Sequence, residues 1–384
     1  MNSKGRLRTV YLMGFLMSAH FALISYVNSS LLGQFVSIGT LNVLYIVGAL
    51  LDICLLLLAP YLLRRYGNIT SFLFFIVIEI LVIISMGFFD SASLIIPLFI
   101  IQLGLGSVLY FWLDLCLEQE TKVESTTGNK RGALLTFSNI AWVISPLALA
   151  LLISQNNFSP VYFLAGLFMI VLLPIVGLSF KNMKNPDLTK TKMFSGFKLL
   201  WKNKDQLRIA LVQFVLNFFY SWMVIYLPLL LSKQIGFGWD KIGLMLTLML
   251  LPFLIFQWPA GYLADKKIGE KEILVVGILI MSAATFIIPS LSHPVFWIWA
   301  TVLFATRVGA SLAEVATETY FFKHVKERDV SEISVFRMVR SFAYVLAPLI
   351  SWPVVYFFSY SISFYFLATF ILLGLLFIPK VDTK

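Results

Sequence analysis

Twelve apolar runs, about 19–30 residues long, follow one another through the 384 residues, long enough for an α-helix to cross a bilayer. They fall at 9–28, 40–63, 70–89, 93–118, 132–154 and 159–180, and then at 207–231, 240–264, 272–290, 293–322, 333–356 and 359–379. In hydrocarbon the backbone must satisfy its own hydrogen bonds, so runs of this length fold as helices. An outer-membrane barrel is excluded, because its strands alternate over segments of about 10 residues. A water-soluble fold is excluded as well. With 60% of residues hydrophobic and 12% charged, too little charge remains to cover a solvated surface.

The few basic residues are distributed unevenly. Lys4, Arg6 and Arg8 precede the first span. Arg64 and Arg65 follow the second, Lys122, Lys130 and Arg131 follow the fourth, Lys266, Lys267 and Lys271 follow the eighth, and Lys323, Lys326 and Arg328 follow the tenth. The alternate loops are almost bare, Lys233 and Lys241 excepted. By the positive-inside rule both termini are expected in the cytoplasm, in a multi-pass protein of the cytoplasmic membrane. The net charge of +10 has the same origin, so nucleic acid is not an expected partner. The start "MNSKGRLR" is followed by no small-residue cleavage site and reads as the beginning of the first span.

A polar, lysine-rich segment at 181–206 divides the spans six and six, giving expected domains at 1–180 and 207–384. Within it Phe194, Phe197, Leu200 and Trp201 fall on one helical face with lysines around the other, the pattern of a helix lying on the membrane surface. The two halves repeat at an offset of about 200. Asp114 and Glu118 correspond to Glu314 and Glu318, Pro146 to Pro348, Gly67 to Gly269, and Tyr61 to Tyr262.

On these landmarks the chain resembles the major facilitator superfamily. The local match is "GYLADKKIGEK", in which Gly261, Leu263, Ala264, Asp265, Lys266 and Gly269 follow the family's loop pattern G-x-L-A-D-R-x-G-R-K with one extra residue before Gly269. The first half has Pro60 and Arg64 where that pattern has glycine and aspartate. The family's fifth-span antiporter motif keeps only Pro146, and its fourth-span arginine is absent, while Arg307 appears in span ten. The whole pattern is most similar to uncharacterised bacterial members of the superfamily. The resemblance implies an all-α membrane fold of two pseudo-symmetric six-helix bundles, with spans one, four, seven and ten lining a central cavity. It also implies secondary transport of a small solute by alternating access, with proton coupling, in a monomer.

Ionisable residues inside spans are functional candidates by default. Ser107, Tyr110, Asp114 and Glu118 share one face of span four, and Arg307, Ser311, Glu314 and Glu318 share one face of span ten. Glu118 and Glu318 lie within about one turn of the cytoplasmic ends at 1.5 Å per residue. In the resembled fold, spans four and five face spans ten and eleven there. Asp114 and Glu118 are then expected to pair with Arg337 and Arg340, and Glu314 and Glu318 with Lys130 and Arg131, as a cytoplasmic gate closed in the outward-open state. Simple snorkelling of these side chains is the alternative. Asp52, Arg307 and Glu314 are candidates for proton coupling, against a static ion pair for Arg307 with Glu314 and a merely hydrogen-bonded acid for Asp52. Glu79 is a candidate partner of Asp52 and reads as structural. His20, Tyr26, Tyr110, Asn139, Trp142, Gln213, Asn217, Tyr220 and Tyr344 are candidates for the substrate cavity. So few positive charges at mid-membrane favour a small neutral, weakly charged or amphipathic solute.

Cys54 and Cys116 lie in apolar runs and make neither a disulfide framework nor a metal site. There is no Walker A sequence, no metal spacing and no nucleophile–base pair, so no cofactor and no enzymatic activity are expected. "LGLGS" at 103–107 reads as small residues for close helix packing. An uncoupled facilitator and a non-transporting receptor or scaffold of the same fold stay open as alternatives.

Overall fold

The computed structural model describes residues 3–120, 127–181, 195–257, 259–260, 263, 269–324 and 330–378. The chain forms two compact units, Met1–Met193 and Phe194–Lys384. No named strand occurs among the described residues, and eleven of the described helices are long and apolar enough to cross a membrane.

The first unit contains α1 (Ser3–Ser25), α2 (Asn28–Leu32), α3 (Ile38–Tyr66), α4 (Asn68–Phe88), α5 (Ala92–Glu120), α6 (Thr127–Leu152) and α7 (Ser159–Ser179). Helix α1 is its centre and packs on α5, α6 and α7; α3 packs on α5, and α4 on α5 and α7. Side chains facing away from these contacts, such as Phe74, Leu81, Leu151 and Leu178, are apolar and exposed, as a lipid-facing surface requires.

The second unit contains α8 (Ser195–Lys202), α9 (Lys204–Leu229), α10 (Trp239–Ile255), α11 (Glu270–Ile287), α12 (Phe296–His324), α13 (Val330–Phe357) and α14 (Tyr360–Leu372). Asn203 caps α9, its Oδ1 accepting from the Asp205 and Gln206 amides. The helix leaves through a wider turn, Leu230–Ile235, that ends at Gly236 in the left-handed region. The eighth expected span, 240–264, is described mainly as α10, with 258, 261, 262 and 264 outside the described residues. The packing repeats that of the first unit: α9 on α12, α13 and α14, α10 on α12, and α11 on α12 and α14. The short helix α8 packs on α13. Leu200 is buried and Trp201 is 76% exposed.

The repeat extends to backbone conformation. Gly67, between α3 and α4, has φ 85°, and Gly269, before α11, has φ 98°. A side chain is strained there, so both connections require glycine. Small residues also set helix spacing. A Cβ on Gly48 would lie 2.7 Å from the Leu103 side chain, and one on Gly104 would lie 2.7 Å from that of Leu51. The "LGLGS" segment thus locks α3 against α5. Between α11 and α12 the approach is closer still. A Cβ on Gly309 would stand 2.3 Å from the backbone nitrogen of Met281, and one on Gly277 would stand 2.8 Å from the Gly309 carbonyl oxygen.

Backbone cannot step aside as a side chain can. Gly309→Val is therefore expected to destabilise the protein by roughly 1–3 kcal/mol or more, read as a lower melting temperature in detergent. Gly106→Ala, whose Cβ would meet only the Phe21 ring edge at 3.9 Å, is expected to be neutral or to stabilise by about 0.4–1 kcal/mol.

Candidate functional site

Each unit has its own buried polar set. In the first, His20 of α1 is wholly buried between α4 and α7. Its Nδ1 lies 3.1 Å from the carbonyl oxygen of Ala165, and its Nε2 lies 2.8 Å from Oε1 of Glu79, also wholly buried. A carbonyl only accepts, so Nδ1 carries a proton and donates it. The Nε2–Oε1 contact then holds one further proton, shared by imidazolium and carboxylate or by imidazole and carboxylic acid. The pair has zero net charge either way, and that is what an apolar bundle can tolerate. Alongside, Tyr162 donates to Asn28 Oδ1 at 2.7 Å, and Asn28 donates to Gln102 Oε1 at 3.1 Å. This polar seam joins α2, α5 and α7.

Glu79 therefore pairs with His20 and not with Asp52. Asp52 is buried on α3 where α3 meets α5, and its Oδ1 accepts from the Ser107 backbone amide at 3.2 Å. Glycines at 48 and 104 allow the approach. Asp114 is 8% exposed on α5, Tyr110 shares a hydrogen bond with Ser18 of α1 at 3.1 Å, and Tyr26 is buried edge-on to Trp142 at 6.4 Å. Asn139 is half-buried on α6. The side chains of Glu118, Lys130 and Arg131, and the residues Gly261, Asp265 and Lys266, lie outside the described set.

In the second unit the candidate residues are closely associated. Glu314 accepts from Gln257 Nε2 at 2.8 Å. Glu318 accepts from Arg337 Nη1 at 3.0 Å, in a pair whose side chains are 10% and 25% exposed. Arg307, 1% exposed, lies over Phe219 with 4.7 Å between the guanidinium carbon and the ring centroid, and 5.6 Å from the Tyr220 ring. Gln213 and Asn217 are buried one turn apart on α9, Asn217 donating to the Gln213 carbonyl oxygen at 2.9 Å. Arg340 lies over the Tyr344 ring at 5.7 Å. Arg337 thus has its partner in its own unit, Glu318, nineteen positions earlier. The sequence reading assigned both residues partners in the other half.

A family model for the Major Facilitator Superfamily matches residues 231–384. A putative metabolite transport protein of Haemophilus influenzae is 28% identical over 229 residues, covering 54% of this chain and 53% of that protein. The match spans about half the length of that relative. An auto-inhibited peptide transporter of the POT family has the same fold, with TM-score 0.73 at 12% identity over 99% of this chain and 98% of the other. The human organic anion transporter MFSD10 (TETRAN) superposes with TM-score 0.71 at 13% identity over 98% of this chain and all of that one (100%). At such identities the structural likeness establishes the fold.

Residues 231–384 thus resemble the Major Facilitator Superfamily, and the chain has the fold of two solved membrane transporters. All three of these similar proteins are described as transporters and none as an enzyme. Within this fold, Gln257 and the His20–Glu79 pair are the polar contacts that sequence reasoning missed. The signal for Gln257 was an isolated amide in the otherwise apolar span eight. For His20 and Glu79 it was two ionisable residues in separate spans, each with no counter-charge within a helical turn.

Removing one member of a buried charge-balanced pair leaves the other uncompensated. His20→Leu or Glu79→Leu alone is expected to cost roughly 3–5 kcal/mol, and the double variant to recover most of the loss. A double-mutant cycle on detergent melting temperatures checks this.

Proposed function

We propose that this protein moves a small neutral, weakly charged or amphipathic solute across the cytoplasmic membrane by alternating access, coupled to protons. It acts as a monomer with both termini in the cytoplasm. The observation that supports this best is the repetition of acids on corresponding helices: Asp114 is buried on α5, and on α12 Glu318 is buried while Glu314, half-buried, accepts from Gln257. A bundle serving only as a scaffold has no need to bury carboxylates twice in corresponding helices.

Glu314 is the strongest candidate for the coupling proton. Its partner Gln257 is an amide, which can donate to a carboxylate or accept from a carboxylic acid. The contact therefore survives a change of protonation. Glu318, Arg337 and Arg307 all lie within electrostatic range of Glu314, so its charge state is felt by the neighbouring pair. Glu318 with Arg337 is one arrangement of a gate in which Asp114, Glu118, Lys130, Arg131 and Arg340 exchange partners as the cycle proceeds.

In proteoliposomes with an imposed pH gradient, Glu314→Gln is expected to lose proton-driven accumulation while retaining exchange of solute at equal pH. A variant whose uptake keeps the parent's proton dependence removes Glu314 from the role. A parent protein whose flux ignores the gradient is an uncoupled facilitator.

A further inference from the structure

Arg307 is the one lysine or arginine among the described residues that is buried. Its Nε and Nη1 atoms meet no hydrogen-bond acceptor. The acids that follow it on α12 are engaged elsewhere, Glu314 by Gln257 and Glu318 by Arg337. A guanidinium cannot shed its proton to escape burial. The faces of Phe219 and Tyr220 offset part of the cost, but they offer nothing to its N–H donors. Glu314 lies within electrostatic range of the guanidinium, but among the described residues no acceptor bonds those two donors, and a buried charge whose donors go unmet is strongly destabilising.

We propose that Arg307 anchors the single carboxylate of an amphipathic monoanionic solute. This deepens the transport reading above and rests on it. The chemistry selects the class. One cation balances one negative charge, so a dicarboxylate or a phosphate ester would bring a second charge with no partner at this point. A planar guanidinium suits a carboxylate because its N–H donors lie in one plane and form short charge-assisted bonds. The surroundings are aromatic, with Phe219 and Tyr220 against Arg307 and Phe253 6.3 Å from Tyr220 between ring centroids. The body of the solute is therefore apolar or aromatic. Access comes with the conformational change that transport itself requires.

The test uses the full chain purified in detergent and a set of paired probes: benzoate, phenylacetate and hexanoate, each against its neutral amide. At least one acid is expected to raise the melting temperature where its amide does not. Its affinity should fall roughly tenfold or more in Arg307→Gln, the loss of a charge-assisted contact. Arg307→Lys, which keeps the charge and gives up the planar donors, should weaken binding less than Arg307→Gln. It also serves as the folded reference if Arg307→Gln does not fold, a tenfold loss in Arg307→Lys then being the expected result. Equal stabilisation by acid and amide, undiminished acid binding in the variants, or no acid bound at all overturns the anchor. Flux of the same probes into proteoliposomes separates the two readings. Acid binding without flux leaves the anchor standing and removes transport, whereas flux of an amide without acid binding does the reverse.

Discussion

A charge inside an apolar bundle must be neutralised, paired or given a task, and the polar architecture of both units follows from that constraint. His20 and Glu79 meet it by sharing a proton inside a contact that is neutral as a whole. Asp52 meets it with a backbone amide drawn close by glycines on both helices. Glu318 meets it with an arginine from the next helix. These solutions are local, each using groups from the same unit, and they keep the unit intact whatever its neighbours do. Arg307 stands apart because aromatic faces cover its guanidinium while, among the described residues, its Nε and Nη1 donors meet no acceptor.

The two units answer different demands with one plan. Their helices pair in the same pattern, the central α1 packing on α5, α6 and α7 and the central α9 on α12, α13 and α14. Yet the buried chemistry differs. The first unit buries a charge-balanced pair and a seam of amides and a phenol between α2, α5 and α7. The second concentrates its ionisable residues along α12. Duplication supplied the scaffold, and divergence moved the reactive groups toward one copy.

Most of the architecture was legible because the signal is long and redundant. A run of about twenty apolar residues has few structural solutions, and most helices start and stop near the expected limits, α1 starting earlier at Ser3 and α10 ending earlier at Ile255. The Gly67–Gly269 correspondence was legible for a similar reason, since both positions need a conformation that other residues avoid. Partnerships between charges were not legible. His20 and Glu79 are 59 positions apart, and nothing in the local sequence of either names the other. Arg337 and Glu318 were both recognised as important, but complementary charge alone does not say which acid an arginine chooses. That choice is made in three dimensions, where α13 presents Arg337 to Glu318 of α12, and the spacing rules do not constrain it. Gln257 was hidden by being uncharged, although it is the group that touches Glu314.

The contact between Gly277 and Gly309 has a mechanical consequence. Where two helices meet through side chains, rotamer changes let one slide on the other. Here backbone rests on backbone, and there is no compliant layer to absorb shear. Helices α11 and α12 therefore travel as one stiff lever. Arg307, Glu314 and Glu318 ride on that lever together, so their spacing along α12 is fixed while their neighbours on α9, α10 and α13 change. The α3–α5 contact of the first unit runs through the leucine side chains at 51 and 103 and has more give. Strain produced at one end of α12 is thus delivered undamped to the other, which makes this helix the natural transmission shaft of the molecule.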